Sequence, residues 1–164
     1  MTATGLSLGT LALLTLLATN NAHAQSFQGY GLLGGGSYSN QFGSGRLGLS
    51  TIAGGADVLI ARGFGVEGEV GLDGLSPTTS LDGVFQIQRL GAGRVVPFVR
   101  AGFTHTVGEY SNTYNGPNIG VGVNLWLRPR AALRVEYLHI AQTLAGATGW
   151  TENHDLMRVG VSFR

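Results

Sequence analysis

The chain contains no cysteine and no lysine. Without cysteine there is no disulfide and no thiolate metal site, so an exported form must draw its stability from other sources. Without lysine, all ten basic residues are arginine. Charge is scarce altogether, at 12% of 164 residues, about half of what a soluble domain carries. The formal net charge of +1 comes with no basic run, which argues against a nucleic-acid partner. Long apolar runs are missing too: none approaches the ~20 residues that a transmembrane helix requires. Proline is rare, with 4 residues.

Apolar residues make up 43% of the chain, and 28 glycines are scattered among Val, Ile, Leu, Phe and Tyr. The glycines follow no three-residue period, which excludes a collagen-like chain. A chain so poor in charge, with no spanning helix, has one other way to live in a bilayer. It can alternate apolar and polar residues along strands and close those strands into a barrel.

Residues 1–24 read as a secretory signal. Leu11 to Ala18 form its apolar stretch, and Ala22-His23-Ala24 is a small-x-small cleavage site that predicts a mature start at Gln25. No Arg or Lys precedes the apolar stretch, a departure from the usual pattern. Residues 25–164 then form one domain.

Eight alternating segments are predicted in that domain. They run from Gln28 to Tyr38, Thr51 to Ala61, Phe64 to Asp73, Leu81 to Leu90, Val95 to Thr106, Asn118 to Leu127, Ala132 to Ala141 and Asp155 to Phe163. In the sixth, Ile119, Val121, Val123, Leu125 and Leu127 share one face, with Gly120, Gly122, Asn124 and Trp126 on the other. Links after the second, fourth and sixth segments are predicted short, and those after the first, third, fifth and seventh longer. That is the pattern of short periplasmic turns and longer external loops. The expected fold is all-β: an eight-stranded, antiparallel, up-and-down transmembrane β-barrel after a cleaved signal peptide. With an even strand number, both termini face the periplasm.

In such a barrel the apolar faces meet lipid and the polar faces line a narrow interior. Asp57, Glu67, Glu69 and Glu136 are therefore expected to point inward with Arg100, Arg134 and Arg158, forming a salt-bridged network, because unpaired buried charges are costly. Aromatic residues near segment ends, including Tyr30, Phe64, Phe85, Phe103, Trp126 and Tyr137, suggest interfacial girdles. Trp126 falls on the inward face, as a lumen plug or as the mark of a bulge. Tyr110, Tyr114 and Trp150 stand in or beside the longer loops.

YGLLGGGSYS, VPFVRAGF, GPNIGVGVNLWL, ALRVEYLHI and LMRVGVSFR resemble the small outer-membrane β-barrel family that includes the OmpA transmembrane domain and the opacity proteins, often called a porin family. The resemblance spans residues 25–164 and implies the barrel fold, an outer-membrane location, and contact with outer-membrane lipid and lipopolysaccharide. The tail is similar to the family's C-terminal assembly signal, which implies that Val159, Val161 and Phe163 are read by the barrel assembly machinery.

EYLHIAQTLAG resembles, more narrowly, the stretch of outer-membrane lipid A deacylases that carries a His-x-Ser-Asn motif. His139 matches the histidine base, and Glu152 falls near the expected orienting acid. The nucleophile position is Ala141, which has no hydroxyl to attack an ester. His105, His139 and His154 gather toward one end of the predicted barrel and raise a metal site as an alternative; no metal or cofactor is otherwise required. The expected function is non-enzymatic: envelope integrity, surface adhesion or interaction through external loops. Lipid A deacylation and a narrow ion conduit are the alternatives.

Overall fold

A computed structural model describes residues 26–40, 47–61, 63–87, 94–108, 112–146 and 150–164. The expected signal segment and its cleavage site lie outside the described residues. Eight strands are present: β1 (Ser26–Asn40), β2 (Leu47–Ala61), β3 (Phe64–Asp73), β4 (Ser76–Gln86), β5 (Val95–Val107), β6 (Thr113–Arg128), β7 (Ala131–Leu144) and β8 (Thr151–Phe163). Each pairs antiparallel with its sequence neighbour, and β1 pairs with β8 from Gly29↔Phe163 to Asn40↔Glu152, closing the barrel. Closure leaves no strand edge, so a bilayer meets no unpaired ladder of backbone groups.

The alternation places apolar side chains outside. Phe27, Leu33, Val70, Leu81, Ile119 and Val161 are each more than half exposed. In water such a belt would be a large apolar liability; against lipid it is the solvated surface. The belt does not run the full length of the strands. Toward the end opposite the termini, outward positions become polar or small: Ser50 on β2, Thr79 on β4, His105 on β5, Thr143 on β7, and Asn153 and Asp155 on β8. These distal strand ends stand beyond the membrane-spanning segments.

This overhang explains where the strand limits depart from the sequence reading. β4 begins at Ser76 rather than Leu81, and β6 at Thr113 rather than Asn118. The backbone ladder continues past the lipid, where no apolar residue marks it. The β3–β4 connection, expected to be long, is a tight turn at Gly74-Leu75, with Gly74 at φ 65, a left-handed conformation that favours glycine. The β3–β4 turn thus breaks the predicted alternation of short and long.

Large side chains fill the interior because small ones stand opposite. Tyr30 faces Gly55, Phe98 faces Gly122, Arg100 faces Gly120, Arg134 faces Gly160 and Arg158 faces Gly34 across their ladders. A Cβ on Gly55 would lie 2.4 Å from the Tyr30 hydroxyl, and one on Gly122 would lie 2.4 Å from the Phe98 ring. Part of the high glycine content is therefore lumen space ceded to an arginine or an aromatic ring.

Candidate functional site

The lumen is stratified. Leu59, Val84 and Phe98 pack together, as do Val96, Trp126 and Ala132, making an apolar floor near the termini. Trp126 faces inward with the Arg164 guanidinium 4.1 Å from its ring centre, and the β6–β7 register shifts between Trp126 and Arg128. Both sequence alternatives for Trp126 hold together: it plugs the lumen beside a bulge.

Above this floor lies a layer of charge. Asp57, Glu67, Glu69, Arg100, Arg134, Glu136 and Arg158 are all buried. Arg100 Nη1 is 2.6 Å from Glu67 Oε1 and 3.0 Å from Glu69 Oε2. Arg134 donates from Nε to Glu136 Oε2 at 2.8 Å and from Nη2 to Glu67 Oε2 at 3.0 Å. Arg158 donates to Glu69 and to Glu136. Asp57 is peripheral: Gln86 Nε2 donates to it at 3.4 Å, and Arg134 Nη1 is 3.9 Å away. Each arginine bridges carboxylates from different strands, so the network cross-braces the barrel.

Two members escaped the sequence reading. Asp82 receives Arg100 Nη2 at 2.5 Å; its parity opposite the outward Leu81 was the available signal. Tyr30, expected in an interfacial girdle, is buried in the lumen. Its hydroxyl donates to Glu69 at 3.0 Å, and the Arg134 guanidinium lies 3.9 Å from its ring centre and 4.3 Å from that of Phe98. Parity with Gln28 and Leu32 sets its direction, whatever its preference for interfaces. Phe64, Phe103 and Tyr137 do face outward.

An apolar cluster of Leu138, Ile140 and Leu156 stands distal to the charges on β7 and β8, with buried Thr104 and Asn118 on β5 and β6. Beyond it the barrel opens into a mouth with a cavity of about 570 Å³, lined by Tyr38, Asp73, Tyr114, Glu152 and His154 among others. Glu152 Oε1 accepts from the Tyr38 hydroxyl at 2.9 Å and from Trp150 Nε1 at 3.2 Å. His154 is buried between two carboxylates, its Nδ1 3.9 Å from Asp73 Oδ2 and its Nε2 4.0 Å from Glu152 Oε2. Neither ring nitrogen has a hydrogen-bond partner. Burial opposes charge on His154, but the pull of Asp73 and Glu152 prevails and raises its pKa to about 9. Burial likewise opposes charge on Glu152, and the neighbouring His154 together with the Trp150 and Tyr38 donors outweighs it, lowering its pKa.

The deacylase-like pair is not assembled. His139 faces outward on β7, whereas Glu152 faces inward on β8, so the two lie on opposite sides of the barrel wall. The acid beside His139 is Asp155, 2.9 Å from Nδ1, and the Tyr137 hydroxyl donates to the same Asp155 oxygen at 2.5 Å. The three histidines do not converge: His105 contacts Asn115 at 2.7 Å, His139 contacts Asp155 and His154 faces the mouth. Among the described residues no group of three His, Cys, Asp or Glu side chains could hold a metal ion. Tyr110 lies outside the described residues. Val159, Val161 and Phe163 face outward on the closing strand, beside β1 and β7.

No protein-family model and no curated protein matches the chain. Solved structures do. Neisserial surface protein A is similar over 86% of this chain and 99% of its own, at 12% identity and a TM-score of 0.67. The outer membrane protein OprG from Pseudomonas aeruginosa is similar over 85% and 95%, at 10% identity and a TM-score of 0.60. A de novo designed transmembrane β-barrel is similar over 86% and 97%, at 15% identity and a TM-score of 0.57. A fold shared with a designed barrel carries no activity of its own. What the likeness shows is architecture: the chain has the fold of the small, eight-stranded transmembrane β-barrels.

Proposed function

We propose that this protein is a non-enzymatic barrel of the bacterial outer membrane, whose sealed interior makes it a rigid support for its distal end. The observation that carries this reading is the lumen: a buried ion-paired layer with an apolar cluster on either side of it. An eight-stranded interior is just wide enough for side chains to fill it, which disfavours a water path. With the signal segment cleaved after Ala24 and both termini in the periplasm, the distal end is the cell surface. Its loops and mouth are then free to serve adhesion, other surface interactions or envelope integrity. Lipid and lipopolysaccharide meet the apolar belt, and Val159, Val161 and Phe163 serve as the strand that the barrel assembly machinery engages.

The ion-conduit reading and the deacylase reading each meet an obstacle. The first would have to pass the buried ion-paired layer. The second has a histidine–acid pair in His139 and Asp155 but only Ala141 at the nucleophile position. Planar-bilayer recordings of the purified barrel are expected to be silent. Discrete current steps that change on Arg134→Gln would overturn the sealed reading. Lipid A from cells with and without the protein is expected to show one acyl pattern by mass spectrometry; loss of a chain with the protein present would overturn the non-enzymatic reading.

A further inference from the structure

Charge is divided unevenly between the two ends of the barrel. At the end that carries the termini, Arg94, Arg128, Arg130 and Arg164 are exposed. Among the described residues no Asp or Glu stands with them. Asp57, Glu67, Glu69, Asp82 and Glu136 are buried in the lumen, and Asp73, Glu152 and Asp155 belong to the distal end. The four arginines share one side of the rim. The Arg94 carbonyl accepts from the Trp126 backbone N–H at 2.7 Å, and Arg128 pairs with Ala131 across the β6–β7 turn. Arg164 donates from its backbone N–H to the Arg130 carbonyl at 3.3 Å and from Nε to the Pro129 carbonyl at 3.1 Å. A chain-terminal carboxylate on Arg164, set against four guanidinium groups, still leaves three positive charges in excess. Grouped cations repel one another, and an anionic partner removes that cost.

The cluster also lies at a defined height. Val95, Leu127 and Phe163, the sequence neighbours of Arg94, Arg128 and Arg164, are exposed apolar residues of the outer wall, and Leu127 is 76% exposed. The arginines therefore stand at the foot of the lipid belt, where acyl chains give way to headgroups. A guanidinium fork matches a phosphate, offering two N–H groups to two oxygens. An acidic periplasmic protein would meet the charges alone. The continuity of the cluster with the apolar belt favours a partner that joins an anionic head to an apolar tail. Zwitterionic lipids satisfy this less well, because their own cationic group offsets the phosphate.

We infer that the rim of β5 to β8 selects anionic phospholipid from the periplasmic leaflet, with Arg94, Arg128, Arg130 and Arg164 as phosphate partners and Val95, Leu127 and Phe163 against the acyl chains. This binding presupposes the proposed orientation, with the termini in the periplasm and the apolar face in lipid. It adds to the belt, which any lipid wets, a contact that distinguishes one headgroup charge from another.

The test measures boundary lipid by electron spin resonance. The purified protein is reconstituted into phosphatidylcholine vesicles carrying a trace of spin-labelled phosphatidylglycerol or of spin-labelled phosphatidylcholine. The anionic probe is expected to associate with the barrel about fivefold more than the zwitterionic one, the effect of roughly one cation beside an anionic headgroup. Salt at about 1 M, which shortens the screening length to ~3 Å, should remove most of that preference. The triple variant Arg94→Gln/Arg128→Gln/Arg130→Gln should bring it close to parity, while Thr79→Ala at the distal end leaves it unchanged. Arg164 stays in place because its guanidinium also packs on the Trp126 ring, 4.1 Å from the centre. Should the triple variant fail to insert, the salt dependence of the parent decides. A preference that survives salt, or that is unchanged in the triple variant, overturns the site. Equal association of the two probes with the parent overturns the lipid assignment and leaves an acidic periplasmic partner for the same arginines. Insertion and the mobility shift on boiling are read on the same vesicles. An inserted barrel without the preference sinks this site alone, whereas a parent that does not insert sinks the membrane reading and the site with it.

Discussion

Arg158 on β8 reaches across the lumen to Glu69 on β3, with Nη1 2.8 Å from Oε1 and Nη2 3.0 Å from Oε2. The strands are not neighbours; β1 and β2 lie between them on the barrel wall. The pair therefore acts as a strut through the interior, and its two-pronged geometry fixes distance and direction together.

Cutting that strut is costly. Arg158→Met removes two hydrogen bonds from Glu69 and leaves the carboxylate with Arg100 and the Tyr30 hydroxyl. Breaking a buried pair from one side costs about 3–5 kcal/mol. The urea midpoint of the barrel in micelles, read from the folded band on a gel, should fall sharply. A midpoint within error of the parent would mean that the strut contributes nothing.

The glycines opposite large lumenal side chains are predicted to resist even one methyl group. In Gly55→Ala the new Cβ meets Tyr30 and, at 2.5 Å, the Gly68 carbonyl oxygen. Overpacking of this kind costs about 1–3 kcal/mol. Gly68→Ala is the control, since a Cβ there meets nothing within 4 Å. Equal stability of the two variants would contradict the packing account.

His154 gives a pH signature. Its pKa is raised from 6.5 to about 9 by the flanking carboxylates, against the cost of burial. A raised pKa in the folded state contributes stability that is fully present below the ordinary value and is lost as pH climbs through the folded one. The stability that depends on His154 should therefore decline between pH 6.5 and about 9. Ring-proton NMR should place the titration midpoint near the upper value, and Asp73→Asn should lower it. A midpoint at the ordinary histidine value would show that the carboxylates do not hold the proton.

Strand number, pairing order and the outward apolar belt were legible in the sequence because strand side chains alternate with period two. In Ile119 to Leu127 the pattern is clean: the same residues that alternate in sequence alternate between lipid and lumen. Strand limits were not legible at the distal end, since Thr113 to Pro117 and Ser76 to Ser80 carry no apolar mark once they leave the belt. The inner face was also less uniform than alternation suggests. Leu138 and Ile140 share parity with Arg134 and Glu136 and stand distal to the charged layer. Glu152 shows the remaining difficulty: proximity in sequence to His139 says nothing about which side of the wall each occupies, and the β7–β8 ladder places them on opposite sides. The mouth needed the closed barrel, because Asp73 and His154 lie 81 residues apart and meet only when β8 closes onto β1.

The account's central claim, a closed barrel with its apolar face in the outer membrane, is tested most directly on the outer-membrane fraction of expressing cells, run on a denaturing gel with and without boiling. A closed barrel resists detergent until heated, so the protein should appear in that fraction and change mobility on boiling. Recovery in the soluble periplasm with one mobility under both conditions would contradict the claim.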